Sequence, residues 1–162
     1  VGITIANGKI ITNRSLEGSS YGLIGFNEDN TLVLLHNVTG ESALEMGVRD
    51  AVTMAPFLIV NGKPAFTKGN GGWGYAARTA IGQRKDGIVL FLVIDSNHTR
   101  TKGASMKDLV EIMQRYGAVN AANLDGGTSS AMVENGIMIN DPIDSVGRHR
   151  TRGIPTVFNV IP

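Results

Sequence analysis

The most chemically loaded stretch of this 162-residue sequence is Asn123-Leu-Asp125-Gly-Gly-Thr-Ser-Ser130. It combines a carboxamide, a carboxylate, two consecutive glycines and a run of hydroxyls. Glycine lets backbone approach a ligand closely, and successive amides in such a turn can form an anion-binding nest. Arg78 adds a planar fork suited to carboxylate or phosphate, and Asp95 adds a second carboxylate. An anion clamp, two carboxylates and several neutral donors suit a phosphorylated or glycosidic substrate. In that chemistry Asp125 is the first catalytic candidate and Asp95 its acid or base partner. Arg78, Asn123, Gly126, Gly127, Thr128 and Ser129 are the candidate substrate contacts. A phosphate leaving group is already acidic, so charge neutralisation by Arg78 and the Gly-Gly amides matters more than acid catalysis. Each candidate has a structural alternative. Asp before Gly-Gly often stabilises a turn, Asp95 and Arg78 can pair with each other, and Asn123 can be a satisfied strand-end amide.

Three inferences about the elements bring these groups together. If Asp86-Gly87 closes a two-residue hairpin between Arg78–Gln83 and Ile88–Asp95, Arg78 falls opposite Asp95, on one face. A slip of one residue would break this. Strand 88–95, helix 105–116 and strand 118–125 form a β-α-β unit with parallel strands, which puts Asp95 and Asp125 at the same sheet edge. Alternation along the last strand points Asn123 and Asp125 the same way. Ser105-Met-Lys-Asp108 reads as a capping box, Met106, Leu109, Val110 and Met113 recur at helical spacing, and Gly117 is a natural helix stop. The methionines at 106 and 113 are core on spacing alone.

The remainder reads as short strands and turns, with a helix over Glu41–Asp50. Asn7-Gly8, Asn61-Gly62 and Asn135-Gly136 signal hairpins joining Gly2–Ile5 to Lys9–Thr12, Phe57–Val60 to Lys63–Phe66, and Ser130–Val133 to Ile137–Asn140. Tyr21–Phe26 and Thr31–Leu35 flank an Asn/Asp turn. Ile88–Ile94 is apolar throughout, which predicts a central strand covered on both faces. Thr156–Val160 is expected to be a closing strand. The fold class is α+β, with a mixed, largely antiparallel sheet and one clear helix, about 105–116. One domain is expected over 1–162.

Trp73, in the glycine-rich loop Thr67–Tyr75, is a candidate for stacking on a sugar ring, with a cover over the core edge as the alternative. His98 reads as a solvated loop residue, and the basic run Arg148-His149-Arg-Thr-Arg152 as a charged surface or a phosphate-facing cluster. The sequence has no cysteine and 3 histidines, so thiolate sites are excluded. The histidines lack ligand spacing. No cofactor is implied, although Asp95 and Asp125 leave a divalent cation open. A net charge of +1 gives no case for a nucleic-acid partner. No apolar run approaches the roughly 20 residues of a membrane span.

Taken together, Asn123-Leu-Asp-Gly-Gly-Thr-Ser-Ser130, Arg78-Thr-Ala-Ile-Gly82 before Asp86-Gly87, and the helix ending at Gly117-Ala118 before Asn120-Ala121 resemble the phosphodiester glycosidase domain. The resemblance covers residues 50 to 160 and includes bacterial and phage members. It implies an α+β fold and hydrolysis of an α-linked sugar from a sugar-phosphate diester. The substrate would be a small or polymeric glycan-phosphate, and the location extracytoplasmic or secreted. Arg78, Asn123, Asp125, Gly126, Gly127 and Ser129 match the family's motif. Asp95 falls where the family carries an Asp, and Arg152 near its C-terminal Arg. Family members carry an Asn-Gly-rich segment with aromatics before the strand that Gly2–Ile5 resembles. That segment is expected upstream of Val1 or is lacking. The competing reading is a non-catalytic carbohydrate- or cell-wall-binding module of a surface or phage protein. A serine hydrolase built on Ser129 or Ser130 is disfavoured, because Gly127-Thr-Ser-Ser-Ala131 lacks the second glycine of a nucleophile elbow.

Overall fold

A computed structural model describes residues 2–97 and 101–161. The three Asn-Gly pairs close hairpins as their sequence demands. They join β1 (Ile3–Ala6) to β2 (Lys9–Asn13), β6 (Phe57–Val60) to β7 (Lys63–Pro64), and β11 (Val133–Glu134) to β12 (Ile137–Met138). In each, both central residues have positive φ, 49° and 68° at Asn7-Gly8 for example, which is the primed turn that matches strand twist. The other strands are β3 (Gly22–Asn27), β4 (Leu32–Leu35), β5 (Val48–Met54), β8 (Arg78–Arg84), β9 (Val89–Ile94) and β10 (Ala118–Asn123). One five-stranded sheet runs β2-β1-β5-β3-β4 and a second runs β7-β6-β10-β8-β9.

The sheets face each other across Ile24 and Leu32 from one side and Ile81 and Ala122 from the other, all buried. The short helix α1 (Gly40–Glu45) lies with Ala43 against the outer face of the first sheet. Helix α2 (Met106–Arg115) covers the outer face of the second with Met106, Leu109, Val110 and Met113. Each of these side chains contributes roughly 1.5–3 kcal/mol by leaving water. The Ser105 hydroxyl accepts from the Asp108 amide at 3.2 Å, and the Ser105 amide donates to the Asp108 carboxylate at 2.8 Å. That completes the expected capping box.

The fold is α+β, with predominantly antiparallel strands and one main helix, as the sequence implies. Four local expectations are corrected. The chain is helical only over Gly40–Glu45; Gly47, at φ 78°, ends the helix, and the remainder of 41–50 enters β5. Strands β9 and β10 do run parallel, but they do not pair, because β8 is inserted between them and bonds antiparallel to both. β9 is an edge strand rather than a central one. Its apolar run is accounted for by layers above and below: Leu90, Leu92 and Ile94 pack towards α2, and Val89 packs into the inter-sheet core. Apolar character on both faces reports what covers a sheet, not which strand lies alongside. Finally, residues 156–160 form no strand, although the Phe158 ring packs edge-on to Phe26 at 5.9 Å between the sheets.

The β8–β9 register also differs from expectation. Gly87, at φ 88°, turns a three-residue loop, with the Arg84 amide donating to the Ile88 carbonyl at 2.9 Å. Such loops end in a left-handed residue that bulges the strand. Arg78 therefore pairs with Ile94, and Asp95 falls on the other face.

Beyond β12, the chain makes a loop over 141–150 built on Asp144. This buried carboxylate accepts from the amides of Val146 at 3.0 Å and Arg148 at 2.9 Å, and from Arg150 Nε at 2.7 Å. The Arg148 amide first, and then the Arg150 guanidinium, hold its pKa below the ordinary 3.8 despite burial. A depressed pKa gives stabilisation that is complete above the ordinary value and lost as pH falls through the folded value.

Two outcomes follow for stability. Leu109→Ala should lower unfolding free energy by about 2–5 kcal/mol in urea titration, because its site is sealed between α2 and the second sheet. Asp144→Asn should lower stability at neutral pH yet flatten the wild-type loss of stability below the ordinary carboxylate pKa. An unchanged acid limb would show that Asp144 does not govern it.

Candidate active site

The motif turn is placed by β8. Beyond the end of β10 the chain stays on β8's backbone: the Leu124 amide donates to the Thr79 carbonyl and the Gly127 amide to the Ala77 carbonyl, both at 2.8 Å. A Cβ at Gly126 would lie 2.8 Å from that same Ala77 oxygen, so a side chain cannot sit there without moving the turn. Gly127–Ser129 then form a single 3₁₀ turn. This corrects the expected nest, because the Gly127 amide is committed to the scaffold. Among the described residues the Thr128 amide takes no partner, which leaves it free to donate.

Asp125 and Ser129 meet Arg152. The guanidinium donates from Nη2 to Asp125 Oδ2 at 2.6 Å and from Nε to Ser129 Oγ at 2.5 Å. The Arg152 amide also donates to the Thr128 carbonyl at 3.4 Å. Asp125 and Arg152 are both partly open to solvent. The guanidinium carries five N–H donors, so most of its fork stays available. Ser129 is thus held by a cation rather than by a base, and Ser130 is fully buried with its hydroxyl unpartnered. Neither is presented as a nucleophile.

The other polar candidates serve the scaffold. Arg78 is buried and donates to three carbonyls: Nε to Ala104 at 3.0 Å, and Nη2 to Trp73 and Gly74, each at 2.9 Å. Burial pushes its pKa down from the usual value. Arg78 ties the glycine-rich loop to the approach of α2 and lines neither cleft described below; the register slip removes it from Asp95. Asp95 accepts from Asn140 Nδ2 at 2.7 Å and from the Asp141 amide at 2.9 Å. Asn140 also donates to the Ser130 carbonyl and accepts from the Met132 amide, each at 2.8 Å. Asp95 is therefore a knot between the end of β9, the end of the motif and the chain after β12. Asn123 donates to the Ala55 carbonyl at 2.7 Å and is buried. Its strand ends there, so Asn123 and Asp125 do not open into one cleft.

Two clefts flank the motif turn. The first, of about 310 Å³, is walled by Tyr75, Ser96, Lys102, Thr128 and Ser145, with Gly127 at its floor. The second, of about 910 Å³, opens between the sheets, with Asp125 and Ser129 at one wall and mostly apolar side chains elsewhere. Glu134 is the other carboxylate lining it. Trp73 is half-exposed and lines neither; its carbonyl rather than its ring is engaged. Tyr75, two residues on, is the aromatic of this loop that lines the smaller cleft. Tyr75, Lys102 and Asn140 carry no sequence signal of their own, and only their place beside the motif turn singles them out.

Three members of the basic run each meet a carboxylate: His149 meets Asp141 at 2.7 Å, Arg150 meets Asp144 at 2.7 Å and Arg152 meets Asp125 at 2.6 Å. It presents no phosphate-binding patch as a unit. His98 lies outside the described residues. Among the described residues no group of three or more His, Asp or Glu is placed to hold a metal ion, and no helix is long and apolar enough to cross a membrane.

Comparison with known proteins matches this architecture. A family model described as phosphodiester glycosidase fits residues 1–161. The SPbeta prophage-derived uncharacterized protein YomE of Bacillus subtilis is 30% identical over 129 residues, 76% of this chain and 20% of that protein. The N-acetylglucosamine-1-phosphodiester alpha-N-acetylglucosaminidases of Homo sapiens and Bos taurus are 40% and 36% identical over 70 and 69 residues, in each case 43% of this chain and 13% of theirs. The auto-inhibited catalytic domain of the zebrafish enzyme of that name shares the fold, with a TM-score of 0.76 over 93% of this chain and 54% of its own at 22% identity. The chain spans 20% or less of the length of these curated relatives. On the family model and the prophage relative, the chain belongs to the phosphodiester glycosidase family.

Proposed function

We propose that this chain carries the active site of a hydrolase that cleaves an α-linked sugar from a sugar-phosphate diester. The observation that supports it most is the Asp125–Arg152–Ser129 cluster, whose Asp125 and Ser129 form part of the larger cleft's wall while Thr128 of the same turn lines the smaller. A diester has an organic group on each side of an anionic centre. Here a half-exposed guanidinium, which lines neither cleft itself, is bonded to two residues of the turn that separates them. Arg152 replaces Arg78 as the phosphate-binding arginine. Its uncommitted N–H groups take the phosphate oxygens and stabilise the charge that grows there as the sugar leaves. Asp125 uses Oδ2 on Arg152, and Oδ1 accepts the proton of an attacking water. The water oxygen bonds to the anomeric carbon, the bond from that carbon to the phosphate oxygen breaks, and its electron pair leaves with the phosphate. Asp95, with both oxygens engaged by Asn140 and Asp141, keeps the motif in place rather than acting as the second acid.

The smaller cleft suits the sugar. Tyr75 supplies an apolar ring face, while Ser96, Thr128, Ser145 and Lys102 supply donors for hydroxyls. An extracytoplasmic workplace belongs to the same reading.

Release of free sugar from a synthetic α-sugar 1-phosphodiester tests the proposal. Asp125→Asn should lower kcat about 100-fold or more, and Arg152→Ala should lower kcat/KM by a similar factor. Tyr75→Ala should raise KM roughly 3- to 10-fold with kcat little changed. Wild-type turnover that survives Asp125→Asn would sink the catalytic assignment. A folded wild type that binds glycan-phosphates without cleaving any would favour a carbohydrate-binding module instead.

A further inference from the structure

The two clefts on either side of the motif turn differ in chemistry. The smaller one sets hydroxyls and a lysine among Tyr75 and Ile143, whereas the larger one sets Phe91, Val93, Leu124, Met132, Met138 and Val157 among scattered polar groups. The larger cleft is continuous with the proposed reaction centre, because Asp125 and Ser129 form part of its wall. At about 910 Å³ it is at the upper end of the range for small-molecule sites, and a mostly apolar lining with interspersed polar groups is typical of them.

We infer that the larger cleft holds the second esterifying group of the diester, and that this group is an apolar chain alcohol, alkyl or isoprenoid, so that the substrate is a sugar-phosphate-lipid. The inference rests on the proposed activity for the position of the phosphate, and adds the identity of the leaving side. Cleavage fixes one organic group as a sugar and leaves the other unspecified. The walls specify it. A second sugar in this cleft would lose water from its hydroxyls wherever they met Phe91, Val93, Leu124, Met132, Met138 or Val157, which is costly for every group left unpaired. A hydrocarbon chain gains from the same walls, by about 0.8 kcal/mol for each methylene fully buried, or roughly fourfold in affinity. Phe91 and Met138 are each 41% exposed, apolar area that such a chain would cover. The phosphate stays on Arg152, beside Asp125 and Ser129, with the chain running away between the sheets.

Calorimetric binding of ethyl, butyl and octyl phosphate, each below its micellar concentration, tests this without requiring turnover. Affinity should rise at least tenfold from ethyl to octyl phosphate in the wild type. In Phe91→Glu and in Met138→Glu, both at partly exposed positions that tolerate a charge in the fold, the gain should fall below twofold. An affinity that does not change with chain length, or a length dependence that survives in both variants, would overturn the inference. Turnover of ethyl and octyl diesters of the same sugar separates the two readings. Cleavage of both with equal KM leaves the activity standing and refutes the lipid side. Length-dependent binding without cleavage of either refutes the activity and leaves the apolar ligand site standing.

Discussion

The site depends on one close approach of two backbones. Gly127 donates to the Ala77 carbonyl, and Gly126 lies so close to the same oxygen that a Cβ has no room. This contact extends the antiparallel ladder of β10 and β8 past the end of the regular strand, and it decides where the next residues go. Thr128 is turned into the small polar cleft and Ser129 towards Arg152. Asp125, just before the contact, is left at the wall of the large cleft. The glycines are thus a packing requirement first, and the polar residues around them inherit their directions from it.

Charge is distributed around that contact in two different ways. Arg78 is buried and divided among three carbonyls, so its role is to shape the glycine-rich loop. Arg152 is open, and it makes two side-chain bonds with most of its donors to spare. The same residue type therefore serves as scaffold in one place and as a candidate ligand in the other; exposure and unfilled donor capacity separate them. The acids divide in the same manner. Asp95 and Asp144 use both oxygens within the fold, whereas among the described residues Asp125 uses one.

Local chemistry was legible in the sequence, and long-range partners were not. The three Asn-Gly turns and the capped helix α2 follow from φ preferences and from hydrogen bonds a few residues apart, which a string of residues records directly. The direction shared by β9 and β10 was legible too, because a connection through a helix constrains it. The insertion of β8 between them was not, since pairing in a sheet is a choice among distant strands. The β8–β9 register failed by one residue because Asp86-Gly87 served a three-residue loop, and that single slip moved Arg78 from Asp95 to Ile94. β5 was missed because Val48–Met54 mixes charged, small and long residues with no clean alternation, and only its place between β1 and β3 makes it central. The chemical importance of Asn123–Ser130 was visible, but its division between two clefts was not, because that depends on where Ala77 lies.

The second sheet ends differently on its two sides. On one side β7 is two residues long, carries a lysine and closes on a proline, which cannot donate to a further strand. On the other, β9 is uncharged from Val89 to Ile94, and among the described residues no backbone bond reaches its outer edge. Lateral growth of this sheet therefore has only one starting point. Two copies joined antiparallel there would be related by a twofold axis and would use up that edge in both, giving a closed pair in which this sheet has no further edge suited to recruit a third. The asymmetry of the sheet thus separates a tendency to self-associate from a tendency to polymerise.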